Sequence, residues 1–88
     1  MELTEEKKEM LINIGAFGYN AEKIASILNI NIEEVEKDLN DSKSEMTKLL
    51  KKGIDMADYV IDLKLFQKAK DGDIKALDKL ENRKKLRD

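Results

Sequence analysis

The side chains in this sequence that can do chemistry are carboxylates, lysines, two arginines and two tyrosines; histidine, cysteine and tryptophan do not occur. Imidazole acid–base catalysis, thiolate nucleophiles, disulfides and soft metal sites are excluded with them. Asp71 and Asp73 stand close enough to suggest a cation, but the residues after them lack the ligand spacing of a calcium loop. A turn and a helix cap explain both. The 4 glycines are scattered and form no phosphate-cradling loop. Carboxylates, Lys and Tyr without a pocket signature make a non-catalytic protein without cofactor or metal the expectation. What remains is recognition chemistry. Asn31 and Asn40 carry amides that can pair with adenine edges, Asn20 is a further candidate DNA contact, and Lys23, Lys37 and Lys43 carry the charge that phosphates attract.

The elements that would position these residues are helices. The chain has 88 residues, no proline and 41% charged residues, and Lys, Glu, Leu, Ile and Ala dominate it. This composition predicts one small all-α protein. No apolar run approaches the ~20 residues of a membrane span. The start, MELTEEKKEM, lacks a secretory signal profile. A cytoplasmic protein with no membrane partner is therefore expected.

Thr4 is placed to cap a first helix, with Met10, Leu11, Ile14 and Phe17 as its inward face and Gly18 as its left-handed end. Asn20 caps a second, AEKIASIL, with Ile24, Ala25 and Leu28 inward. Asn29 to Asn31 is a tight turn, and Asn31 with Glu34 starts a third helix like a capping box, carrying Val35 and Leu39. An early small Ala, then Leu28, then a turn with Ile30, is the residue grammar of a helix-turn-helix. Asn29 stands where that turn usually has Gly, and Asn tolerates the left-handed conformation. The groove-facing surface of such a motif would lie around Asn31, Ile32, Glu33, Glu36, Lys37 and Asn40. That surface is acidic, so the residues alone leave two readings open: contact with DNA, and a three-helix bundle that contacts protein.

Charge is unevenly placed. Residues 1–41 hold 4 lysines against 10 carboxylates, a net of −6, and residues 42–88 hold 13 basic against 9 acidic groups, a net of +4. The halves read as two modules, or as surfaces that attract one another between subunits. The second module, 42–88, opens on a capping box of Ser42 and Glu45 and continues as one long helix to about Lys70, with Gly53 a tolerable interior glycine. Asp71 to Asp73 makes a turn, and Asp73 caps a last helix over about Ile74 to Leu86. Between Met56 and Phe66, 8 of 11 residues are apolar. Only Lys51, Asp55, Asp58 and Asp62 form a polar stripe at ~100° per residue. The last helix, with Ile74, Ala76, Leu77 and Leu80 inward, can cover one face of half this length. Self-association through Met56, Tyr59, Val60, Leu63, Phe66, Leu77 and Leu80 is the economical way to bury the rest. The alternative is a monomer whose N-terminal bundle folds fully onto the arm. The basic end from Lys79 onward can touch phosphates or an acidic partner, or be a solvated helix end favoured by the dipole.

Two stretches, IGAFGYNAEKIASILNINIEEVEKDLND and KKGIDMADYVIDLKLFQKAKDGDIKALDKLENRK, together resemble the small terminase subunit of tailed phages. The more specific part is the Gly-Ile-Asp step at Gly53, Tyr59 three residues after Met56, and then Leu65, Ala69, Gly72, Asp73, Ala76 and Leu77. The resemblance runs from about Ile14 to Lys85. It implies a ring-forming, non-catalytic subunit in the bacterial host that recognises a packaging start on double-stranded viral DNA. Its DNA-reading helix would be Asn31 to Asn40, with Asn20, Lys23 and Lys43 as flanking contacts, and its oligomerisation hairpin Met46 to Leu80. The large terminase subunit would be a further partner, docked through the basic end. The acidic third helix departs from what DNA reading wants. The other readings are a phage- or prophage-derived helix-turn-helix module that binds protein, and a small dimeric transcription regulator.

Overall fold

The computed structural model describes residues 2–87 and is all-α. Five helices follow one another: α1 (Glu5–Phe17), α2 (Ala21–Leu28), α3 (Ile32–Leu39), α4 (Glu45–Lys70) and α5 (Ile74–Arg87). Among the described residues no strand occurs, and no helix is long and apolar enough to cross a membrane. Two compact units divide the chain after Met56. The first takes in the opening turns of α4, whereas the sequence division placed everything from residue 42 with the second.

The ends of the helices follow local chemistry. Thr4 Oγ1 accepts the Lys7 N–H at 3.2 Å, and Gly18 closes α1 in the left-handed region at φ 74°. Asn20 Oδ1 accepts the Lys23 N–H at 2.9 Å. Asn29, at φ 56°, ends α2, and the N–H groups of Asn29 and Ile30 both donate to the Ala25 carbonyl. Asn31 caps α3 through the Glu33 N–H at 2.9 Å. Among the described residues the Glu34 carboxylate returns no bond, so the expected capping box is a single Asn cap. The start of α4 differs from expectation. Ser44, not Ser42, accepts the Thr47 N–H at 3.1 Å. The Ser44 and Thr47 hydroxyls donate to the Asp38 carbonyl at 2.7 and 2.8 Å. The cap moves to Ser44 because from there one hydroxyl serves the start of α4 and the end of α3 together. Ser42 sits in the turn held by the Lys43 N–H on Asp41 Oδ1.

In the first unit α2 packs on α3 and α1 on α2. Leu11, Ile14, Ile24, Ala25, Leu28, Val35 and Met46 are its buried apolar core, each large side chain worth about 1.5–3 kcal/mol of transfer. Met46, expected in the oligomerisation hairpin, is 1% exposed in this core. Phe17, expected inward, is 62% exposed. Its place in the last turn of α1, next to the Gly18 reversal, carries it past the end of the core. The inward position on that turn belongs to Gly15.

Gly15 and Gly53 are the points at which α1 meets the start of α4. A Cβ on Gly15 would lie 2.8 Å from the Leu50 carbonyl carbon and nearer still to its oxygen. A Cβ on Gly53 would lie 2.8 Å from the Ile12 carbonyl carbon. Each helix therefore offers a glycine to the other's backbone. Gly53 is a contact that no side chain can replace, not a tolerated weakness. Replacing an interior helical Gly with Ala in open space gains about 1 kcal/mol. Here Gly15→Ala and Gly53→Ala are each expected to lose about 2 kcal/mol or more through overpacking. A lowered urea midpoint for both variants checks this; an unchanged or raised midpoint would refute the crossing.

Candidate nucleic-acid interface and apolar face

The residues expected to contact DNA lie along the outer side of α2 and α3. Asn20, Lys23, Asn31, Lys37, Asn40 and Lys43 are all exposed. Val35 faces the core at 0% exposure, while Glu33, Glu36, Lys37 and Asn40 line the solvent side of α3. That face carries two carboxylates and one ammonium, with Glu34 beside it. The caps also limit what the amides can do. Asn20 and Asn31 already use Oδ1 to hold a helix N–H. Bidentate pairing with adenine needs both Oδ1 and Nδ2, so either residue would have to release its cap, at about 1 kcal/mol. Asn40, at the end of α3, uses its backbone N–H on Glu36, and its exposed side chain caps no helix. Lys23 stands 4.3 Å over the Tyr19 ring, which holds its charge at the start of α2. The N-termini of α2 and α3 thus present N–H groups, one lysine and two capping amides, which suits phosphate oxygens better than base edges.

In the second unit α5 runs back along α4. Asp71 to Asp73 makes the turn, with Gly72 at φ 99°. Asp73 Oδ1 caps α5 by accepting the Ala76 N–H at 3.0 Å. Arg83 Nε donates to Asp62 Oδ1 at 2.6 Å and Arg83 Nη2 to Asp58 Oδ1 at 3.0 Å, and Arg87 donates to the other oxygen of Asp62. Hydrogen bonding to Arg83 is the main cause that holds the Asp62 carboxyl below the usual aspartate range, and Arg87 adds to it. The same partnership raises Arg83 further above its ordinary value.

This ladder changes half of the expected packing of α5, in which Ala76 and Leu80 stay inward. The polar stripe of α4 does not face away from its partner, because Asp58 and Asp62 meet α5 directly. On α5 the side toward α4 carries buried Ala76 and half-buried Leu80 and Arg83. Ile74 and Leu77, expected inward, are 72% and 44% exposed. A planar guanidinium satisfies two carboxylates one helical turn apart, and no apolar side chain can do that. The sequence carries a signal for it: Asp58 and Asp62 lie 14 and 10 residues before Gly72, and Arg83 and Arg87 lie 11 and 15 after it. It also leaves the basic end of the chain with lysines only, since both arginines are occupied.

The apolar arc of α4 is consequently open. Tyr59, Val60, Leu63 and Phe66 are between 38% and 61% exposed, and Met56 is 50% exposed. By helical phase Tyr59, Leu63 and Phe66 share one side of the pair with Leu77. Among the described residues no group of His, Cys, Asp or Glu is arranged to hold a metal ion.

The ladder has a pH signature. A carboxyl depressed in the folded chain contributes stability above its ordinary pKa, and that contribution is lost as pH falls through the lower folded value. Replacing Arg83 with Gln is expected to move the Asp62 titration upward toward the ordinary aspartate range, read by carboxyl NMR. An unmoved midpoint would contradict the assigned cause. In comparisons with known proteins, no family model, curated protein or solved structure matches this chain.

Proposed function

We propose that α2, the Asn29 turn and α3 form a helix-turn-helix that contacts duplex DNA, and that α4 and α5 form an antiparallel hairpin holding several copies together. The protein would then be a non-catalytic DNA-recognition subunit resembling the small terminases that start phage genome packaging. The observation that carries this reading is the α2–α3 junction. A left-handed Asn29 joins two eight-residue helices over buried Ile24, Ala25, Leu28 and Val35. Both helices begin with a solvent-facing Asn cap. A single copy is a weak reader, because Glu33 and Glu36 face the side that would enter the groove. Several linked copies add their contacts through effective concentration, so weak phosphate contacts suffice. A large terminase subunit and a cytoplasmic host setting belong to the same proposal.

A second reading is favoured by one observation, the acidity of the outer α3 face. In that reading the motif contacts a basic protein surface, as in a phage-derived interaction module, and DNA is not the ligand. A small dimeric regulator shares the DNA contact but assembles as two copies.

Titration of labelled duplex at low and moderate salt separates these. DNA recognition predicts binding that weakens steeply with salt, since it depends on phosphate contacts. Glu33→Gln with Glu36→Gln is expected to tighten it by about tenfold, through two removed repulsions of about 0.7 kcal/mol each. Absence of binding at low salt would exclude DNA and leave the protein-contact reading. Weaker binding by the Gln variant would show that another surface meets the DNA.

A further inference from the structure

A concave site lies between α1 and α2, and its Tyr19 ring also carries Lys23. Its volume is about 290 Å³, and Met10, Asn13, Ile14, Phe17, Tyr19 and Ile27 line it, all apolar or aromatic but Asn13. The Phe17 and Tyr19 rings form a tilted pair 5.4 Å apart across Gly18, and Phe17 remains 62% exposed. Such an aromatic pair, half out of water, is the surface a partner side chain would complete. The same side of α1 extends from Phe17 back to Glu6, with Glu9 beside it. The ion pairs of α1 run from Lys8 to Glu5 and Glu45; Glu6 and Glu9 enter none among the described residues.

The complement to this site lies on the outer face of α5. Leu86 is 87% exposed, more than any other large apolar side chain described. One helical side carries Lys75, Lys79, Asn82 and Leu86, at steps of four, three and four residues. The side of α1 under discussion carries Glu6, Met10, Asn13 and Phe17 at the same steps. Laid parallel, the two sides bring Leu86 to Phe17 at one end and Lys75 to Glu6 at the other. Lys79 then falls on the flank where Glu9 stands. Leu86 and Phe17 are both exposed.

We infer that the outer face of α5 of one copy docks along α1 of a second copy, with Leu86 entering the apolar site beside Phe17 and Lys75 and Lys79 paired with Glu6 and Glu9. The contact joins two different surfaces, so it propagates head to tail and closes only as a ring. It also gives the opposed charges of the two halves a role between subunits. It depends neither on DNA binding nor on the α4 arc.

The chain has no cysteine, so introduced cysteines report cleanly. Oxidation of the Phe17→Cys/Leu86→Cys double variant is expected to give a ladder of cross-linked dimers, trimers and larger species on non-reducing gels. Adding Lys75→Glu and Lys79→Glu should reduce the ladder about tenfold, by reversing two ion pairs. Adding Glu6→Lys and Glu9→Lys to that chain should restore it. All six positions are exposed or half-buried at the surface, and circular dichroism checks that each variant is folded. Uncross-linked chains, or a cross-link within one chain, would overturn the proposal. So would a ladder indifferent to the charge reversals. A large assembly through the α4 arc that yields no ladder would separate failure of this contact from failure of hairpin self-association.

Discussion

One partner helix can cover only one side of another, and in the second unit that side is shared between Ala76 and Leu80 and a ladder of charge. Arg83 joins Asp58 and Asp62 across the pair, and Arg87 joins Asp62. These partly exposed ion pairs orient α5 more than they stabilise it. Their consequence is larger than their energy. With the carboxylates of α4 turned toward α5, Tyr59, Val60, Leu63 and Phe66 have no cover within the unit. Ala76 is the only fully buried apolar side chain described there. A helix pair with so small a core is marginal by itself, and the proposed self-association would bury the apolar area it leaves exposed.

The first unit is closed by the opposite device, the absence of side chains. Gly15 and Gly53 bring two backbones into contact, and Met46, Leu49 and Leu50 of α4 then reach the core formed by α1, α2 and α3. Ser44 and Thr47 fix the other end of this attachment by both donating to the Asp38 carbonyl of α3. The start of α4 is therefore bound to the three-helix unit both by backbone proximity and by hydrogen bonds.

The parts of the fold legible in the sequence were those decided within four or five residues. Thr4, Asn20, Asn31 and Asp73 cap helices because a short polar side chain reaches its own backbone, whatever lies around it. Gly18 and Asn29 reverse the chain because they tolerate positive φ. Ile24, Ala25, Leu28 and Val35 could be placed inside because a short amphipathic helix has one apolar side. Phe17, Ile74 and Leu77 were misplaced because α1 and α5 have apolar residues on more than one side, and tertiary partners choose among them. The role of Gly53 was invisible for the same reason: its meaning lies in Ile12, 41 positions away. At the candidate DNA face, residue positions were legible, but the use of Asn20 and Asn31 as caps lowers what their amides can read.

We propose that other copies of the chain cover the exposed arc of α4, and that DNA recognition by an acidic motif depends on that assembly. Sedimentation equilibrium over a hundredfold range of concentration is the decisive experiment. A mass of several subunits is expected, on the order of eight for a closed ring, which Leu63→Glu with Phe66→Glu reduces while the helix content of the first unit is kept. A monomer at the highest concentration, or an assembly that the two glutamates leave intact, would contradict it.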